Sequence, residues 1–207
     1  MNRIITTILI FLFYSMIHSL FAGTRVKRWF RKKFPEYYGL YRITFNILQT
    51  TLFIILWYFV PKPSEMLWQM EGVGEYLFRL VQLLAVGGIL LTLRDFNTQE
   101  FLGIAQMKRY LTGEKSAVTD ERYRLNTSGM YAVSRHPLYL FSIMIFLLEP
   151  AMTIFKFLIL LWLILYFYIG SIFEERRLLT EFGSRYADYK NHVSRIVPVK
   201  WIYKQIF

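Results

Sequence analysis

A predominantly apolar run of 19 residues, at positions 4–22, lies close to the start of the chain. A helix that crosses the hydrocarbon core of a bilayer needs about 20 such residues. With 55% hydrophobic residues the chain is also more apolar than ordinary globular proteins. The sequence therefore predicts an all-α integral membrane protein of about five transmembrane helices. The further segments are residues 43–60, 76–93, 138–150 and 153–173, and the last two would form a helical hairpin.

The first apolar run has two readings, a cleaved signal peptide or a membrane anchor. A signal peptide carries its positive charge before the apolar run. Here only Arg3 precedes the run, whereas six Lys and Arg residues follow it at positions 25–33. The distribution favours an uncleaved anchor.

The 25 Lys and Arg residues are concentrated in three segments of seven each, at positions 24–42, 94–136 and 174–207. These segments are alternate connections and the C-terminal tail, so the positive-inside rule places all three in the cytoplasm. The N terminus is then outside and the C terminus cytoplasmic. Topology and anionic lipid account for the net charge of +11, so the expected partner is the lipid bilayer and not nucleic acid. In a bacterium this would be the inner membrane.

The residue types limit the possible chemistry. The absence of cysteine excludes disulfides and a cysteine nucleophile, and three histidines argue against a multi-histidine metal site, so no metal is expected. The length fits one domain over residues 1–207. The oligomeric state is left open.

Polar residues recur near the predicted cytoplasmic ends of the helices. They include His18, Asn46 and Asp95, and polar groups within a membrane are costly and point to function. Asn46 and Gln49 fit equally well a bond between neighbouring helices. The connection that follows Asp95 predicts a short amphipathic helix near the interface. Residues 112–129 are polar and fit either a mobile cover over a site or a linker.

The two ends of the predicted last hairpin carry opposite charges. Arg135 and His136 precede a helix-starting Pro137, and Glu174 and Glu175 follow the returning helix. An arginine and a helix N-terminus suit an anion, and paired carboxylates suit a cation. Taken singly, each is an ordinary helix end; together they predict a cytoplasmic site for a ligand with both charges. Because the fourth helix is short, either it starts below the membrane surface or the hairpin is re-entrant.

This constellation resembles the isoprenylcysteine carboxyl methyltransferase and phospholipid methyltransferase superfamily of membrane enzymes. Their signature is Arg-His-Pro-x-Tyr-x-Gly, an apolar hairpin and Glu-Glu. The match covers about residues 125–198, with Phe141 in place of the usual glycine. The matching residues are Arg135, His136, Pro137, Tyr139, Glu174 and Glu175, with Leu178, Phe182, Gly183, Tyr186, Tyr189, Arg195 and Pro198 in the tail.

The front half is similar to the bacterial branch that includes methanethiol S-methyltransferase and the NnrU-type proteins. The similarity rests on residues 18–27 and on Glu100 to Gly103 with Gln106. The resemblance implies S-adenosyl-L-methionine bound at residues 125–198, by Arg135, His136, Pro137, Tyr139, Glu174 and Glu175. It implies a small or lipophilic thiol as methyl acceptor, methylated at sulfur. His18 and Asp95 are the candidate catalytic proton acceptors, Asn46, Glu100 and Gln106 the candidate substrate-binding residues, and Phe21, Phe45, Phe96 and Phe101 the expected apolar walls.

Other functions stay open on the sequence. The superfamily also methylates isoprenylcysteine carboxyl groups and phospholipids. Sterol reductases that use NADPH resemble it in their C-terminal part. The NnrU resemblance allows a membrane protein without enzymatic activity, whose polar residues only hold helices together.

Overall fold

A computed structural model describes residues 2–95, 97–114 and 125–206. Within them the chain is almost entirely helical, with one small two-stranded sheet. Phe96 and most of the segment predicted as a cover or linker lie outside the described residues. The elements in chain order are α1 (Arg3–Ala22), α2 (Thr24–Lys33), a 3-10 turn (Pro35–Leu40), α3 (Tyr41–Phe59), β1 (Met66–Gln69), α4 (Val73–Arg94), α5 (Thr98–Leu102), α6 (Ile104–Leu111), a second 3-10 turn (Gly129–Ala132), α7 (Pro137–Leu147), β2 (Ala151–Thr153), α8 (Ile154–Phe182), α9 (Ser184–His192) and α10 (Val199–Ile206).

Four helical segments are long and apolar enough to cross a membrane: α1, the continuous stretch Pro35–Phe59, α4 and α8. They confirm the prediction of an all-α membrane protein. The predicted fourth segment is α7, whose 11 residues span only about 16 Å, roughly half of a hydrocarbon core. The number of crossings and their orientation stay predictions.

The chain divides into two compact units by its internal contacts. The first unit comprises Met1–Lys62 and Asn97–Arg124, and the second comprises Pro63–Phe96 and Leu125–Phe207. The prediction of one domain over the whole chain is not tested by this division.

In the first unit, α5 is fastened to the start of α3 by its backbone. The Phe101 carbonyl accepts hydrogen bonds from Arg42 Nε at 2.9 Å and Asn46 Nδ2 at 3.0 Å. Gly103, with a φ of +88°, turns the chain from α5 into α6, and a Cβ there would lie 2.5 Å from the Ile43 backbone nitrogen. Only glycine fits such a turn and such a close approach. The predicted amphipathic helix is therefore two short helices with a glycine between them.

In the second unit, a short antiparallel sheet joins the segment before α4 to the segment before α8. Strand β1 pairs with β2 in the register Met66↔Thr153, Trp68↔Met152 and Gln69↔Ala151. The sequence did not predict this sheet, because strands of four and three residues give no periodic signal. The connection from α7 to α8 is thus a paired strand and not a simple turn.

Polar side chains satisfy the end of the short helix α7. Gln82 Nε2 donates to the Ile145 carbonyl at 2.8 Å and to Glu149 Oε2 at 3.3 Å. Lys156 Nζ donates to Glu149 Oε1 at 3.0 Å and to the Ala151 carbonyl at 2.8 Å. The last turn of a helix leaves carbonyls without internal donors, and Gln82 satisfies one of these at Ile145. The contacts of Glu149 and Lys156 fix the segment that follows α7.

Phe141, which replaces the glycine of the superfamily signature, packs into a notch on α4. A Cβ built on Gly88 would lie 2.5 Å from carbons of the Phe141 ring. The larger residue on α7 is therefore accommodated by a glycine on the facing helix. This pair brings α7 and α4 together directly beside the hairpin end that carries His136.

We expect Gly88→Ala to destabilise the protein, because the added methyl group overlaps the Phe141 ring and overpacking costs about 1–3 kcal/mol. Gly87→Ala is the matched control, since a Cβ at Gly87 meets no atom within 4 Å. Thermal unfolding in detergent, followed by circular dichroism, measures the difference. Equal midpoints for the two variants would show that the notch is not needed.

Candidate functional site

The two ends of the hairpin meet at the carboxylate of Glu175, whose side chain is only 4% exposed. Its Oε1 accepts from Arg135 Nε at 2.9 Å and from Arg135 Nη2 at 2.8 Å. His136 Nε2 lies 3.3 Å from the same oxygen. Arg195 adds contacts of 3.3 Å from Nε to Oε1 and from Nη2 to Oε2. One buried carboxylate therefore joins α7, α8 and the segment after α9.

The remaining donors of Arg135 bind the C-terminal segment. Its Nη1 donates to the carbonyls of Lys190 and Val193. The backbone continues this pairing, since Arg135 N donates to the Ser194 carbonyl at 2.9 Å and His136 N to the Arg195 carbonyl at 3.0 Å. The guanidinium of Arg135 is thus enclosed by protein groups, and in this structure it holds the site residues together.

Glu174 is placed differently from its neighbour. Its side chain is 42% exposed, because successive helical residues point about 100° apart. Its Oε2 accepts from the Tyr139 hydroxyl at 3.1 Å and lies 3.5 Å from His136 Nδ1. Among the described residues its other oxygen, Oε1, has no hydrogen-bond partner. One oxygen is fixed by the protein and the other is open.

Three rings stack along the inside of the hairpin. The Tyr139 ring lies 5.1 Å from the His136 ring at 6° and 4.3 Å from the Phe167 ring at 3°. Tyr139 therefore stacks with two other rings, and its hydroxyl is the group directed at Glu174. Pro137, fully buried, occupies the first turn of α7 and starts the helix between His136 and Tyr139.

Asp95 lies on the segment that leads into this site. Its carboxylate lies so close to Gly129 that a Cβ at that residue would overlap it, and the Asp95 backbone carbonyl accepts from Asn126 Nδ2 at 3.2 Å. Tyr131 follows two residues after Gly129. Burial, with the negative charges of Glu174 and Asp95, raises the pKa of the Tyr131 hydroxyl to about 12, so this hydroxyl stays protonated.

The other predicted residues belong to the first unit. The His18 ring packs 5.8 Å from Tyr14 and 5.3 Å from Phe45. Gln106 Nε2 donates to the Glu100 carbonyl at 3.0 Å, next to the Phe101 carbonyl that binds Asn46. Asn46, Glu100 and Gln106 are therefore gathered around the single short helix α5.

Arg109 is an addition to this cluster that the sequence did not single out. Its guanidinium donates two hydrogen bonds to the Glu100 carboxylate, from Nη1 to Oε1 at 2.6 Å and from Nη2 to Oε2 at 3.1 Å. The hydrogen bonds that Arg109 donates to Glu100 raise the pKa of its guanidinium above the usual value. Glu100 and Arg109 are nine residues apart and on different helices, so only their turn at Gly103 brings them together.

Two residues of the second unit were also missed as members of the site. Arg195 was noted only as part of the family-like tail, yet its guanidinium contacts Glu175 and lies 5.5 Å from the Tyr168 ring centroid. Tyr131 gave no signal, because a lone tyrosine before a polar turn has no distinctive pattern. Among the described residues no cluster of three or more His, Asp or Glu is arranged to hold a metal ion.

Known proteins similar to this chain share one name. Methanethiol S-methyltransferase 1 of Bradyrhizobium diazoefficiens is 28% identical over 95% of the chain, which covers 67% of that protein. Methanethiol S-methyltransferase 2 of the same organism is 28% identical over 95% of the chain and covered to 74%. The methanethiol S-methyltransferase of Pseudomonas deceptionensis is 26% identical over 94% of the chain and covered to 72%. No protein-family model matches the chain, and no solved structure matches it significantly.

The apolar helices and these relatives together support the class of membrane methyltransferases. Within that class, the relatives confirm the resemblance to the bacterial branch that includes methanethiol S-methyltransferase.

We expect Glu175→Gln to destabilise the fold strongly, because it leaves the buried Arg135 without its counter-charge, and breaking a buried pair costs about 3–5 kcal/mol. The matched control is Glu174→Gln, whose exposed side chain should change stability by less than about 1 kcal/mol. Thermal unfolding without ligand compares the two. Similar losses for both variants would contradict the division of roles seen in the structure.

Proposed function

We propose that the protein is an S-adenosyl-L-methionine-dependent membrane methyltransferase that methylates a small or lipophilic thiol at sulfur. The observation that carries the proposal is the pair Glu174 and Glu175 at the end of the hairpin. The Glu175 carboxylate is buried and ion-paired, whereas the Glu174 carboxylate is exposed and has one oxygen without a hydrogen-bond partner among the described residues. The names of the relatives support the thiol. The three basic segments of the sequence support a cytoplasmic position for this site.

The side chains at the hairpin end suit the charges of this methyl donor. Glu174 Oε1 can accept from an ammonium group or from ribose hydroxyls. Arg195, whose side chain is 28% exposed, and the start of α7 can hold a carboxylate. When bound, S-adenosyl-L-methionine supplies a methyl group activated by its positively charged sulfur.

The protein's part in the reaction is chiefly to position the reactants. Arg135, His136 and Arg195 fix Glu175 and thereby the angle at which α8 meets α7. Tyr139 fixes one oxygen of Glu174, so the other keeps a constant direction. For a displacement at a methyl carbon, such alignment contributes much of the rate.

The thiol needs only modest help to ionise. A free thiol has a pKa of about 8.5, and a nearby base or cation favours the thiolate. Asp95 and His18 are the proposed proton acceptors, and Asn46, Glu100 and Gln106 the proposed substrate-binding residues. Of these, Asp95 belongs to the same unit as the proposed cofactor residues.

We expect Glu174→Gln to weaken binding of S-adenosylhomocysteine by tenfold to a hundredfold, since a charged hydrogen bond contributes about 1.5–3 kcal/mol. Glu71→Gln, exposed in the loop before α4, is the control and should bind normally. Isothermal titration of purified protein gives both affinities. Binding of NADPH in place of S-adenosylhomocysteine would favour the reductase and refute the proposed cofactor. Binding of neither would favour a non-enzymatic protein.

We expect membranes that contain the protein to convert methanethiol to its methyl sulfide when S-adenosyl-L-methionine is added. Asp95→Asn should slow turnover by about tenfold or more while S-adenosylhomocysteine binding is kept, because it removes a proton acceptor. The same pattern is expected for His18→Ala. Asp188→Asn, exposed on α9, is the control.

Gas chromatography of the headspace measures the methyl sulfide. Methylation of prenylcysteine or phosphatidylethanolamine, with thiols inert, would overturn the proposed acceptor and leave the methyltransferase class standing.

A further inference from the structure

The last helix, α10, has an apolar stripe whose residues are largely exposed. Val199, Ile202, Tyr203 and Ile206 follow the spacing i, i+3, i+4 and i+7, which places them on one face of a helix. Their exposed fractions are 62%, 43%, 63% and 66%. No residue of α10 is buried. A stripe of this kind normally packs against another apolar surface.

The helix is held to the protein from outside this stripe. Lys200 Nζ donates to the carbonyls of Lys190 at 3.2 Å and Asn191 at 2.7 Å, at the C-terminal end of α9. Its backbone nitrogen donates to Ser194 Oγ at 3.0 Å. A cation is favourable where a helix ends with free carbonyls. The lysine therefore fixes α10 to α9.

Backbone pairing places the start of α10 at the level where α7 begins. Ser194 and Arg195 accept hydrogen bonds from the backbone of Arg135 and His136, the two residues directly before α7. Helix α7 is apolar from its first residues. Because α10 starts four residues after Arg195, it begins close to the membrane surface at which α7 would enter the hydrocarbon core.

We propose that α10 is an interfacial anchor that lies on the bilayer surface, with its apolar stripe in lipid and Lys204 at anionic phospholipid headgroups. The helix contains Lys200 and Lys204 and no acidic residue, so its charge complements an anionic leaflet. Amphipathic helices with basic flanks bind such surfaces. Because α10 follows the segment paired with Arg135 and His136, the anchor fixes that segment relative to the membrane.

The absence of cysteine allows a clean test with single labels. Full-length Ile202→Cys and Gln205→Cys variants carry the fluorophore NBD and are placed in nanodiscs that hold one copy each. A doxyl-labelled lipid should quench the label at position 202 about twofold or more above that at 205, and aqueous iodide should show the reverse order. Gln205 is the control because it lies outside the stripe.

Lipid composition tests the second half of the proposal. Replacement of phosphatidylglycerol by phosphatidylcholine should reduce the lipid quenching at position 202, and Lys204→Gln should remove this dependence. Equal quenching at 202 and 205 in single-copy nanodiscs would overturn the anchor. A difference found only in nanodiscs with two copies would assign the stripe to a second chain and likewise overturn it. Equal quenching at position 202 in phosphatidylglycerol and in phosphatidylcholine would refute the headgroup contact.

Discussion

The carboxylate of Glu175 is the group on which the second unit depends. It is buried, and it is contacted by Arg135, His136 and Arg195. A buried charge is tolerable only when opposite charges and hydrogen bonds surround it. Removal of one partner therefore leaves a buried charge without compensation, which is strongly destabilising. The start of α7, the end of α8 and the segment after α9 are therefore tied to one another through a single side chain.

The buried position of Glu175 also determines the position of the neighbouring Glu174. With Glu175 turned inward, the helical rotation of about 100° brings Glu174 to an exposed position, where Tyr139 fixes one of its oxygens. The stack of His136, Tyr139 and Phe167 supports this arrangement from the apolar side. A site of defined geometry thus arises at the end of a hairpin whose first helix has only 11 residues.

Much of this fold could be predicted from sequence, because long apolar runs and blocks of basic residues are strong local signals. The hairpin alone predicted that the end with Arg135 and the end with Glu175 meet, but not that these two side chains pair directly with each other. The different roles of Glu174 and Glu175 could not be predicted, because they depend on how α8 is rotated about its axis. The notch at Gly88 and the contacts of Arg195, Arg109 and Tyr131 join residues distant in sequence, and no spacing rule connects them.

A crystal structure with bound S-adenosylhomocysteine would show whether Glu174 contacts the ligand while Glu175 stays paired within the protein. We expect ligand density against Glu174 Oε1, with the Arg135–Glu175 pair intact and near its present Nη2–Oε1 distance of 2.8 Å. A structure in which Arg135 has left Glu175 to bind the ligand, while Glu174 makes no contact with the ligand, would refute these roles of the two glutamates.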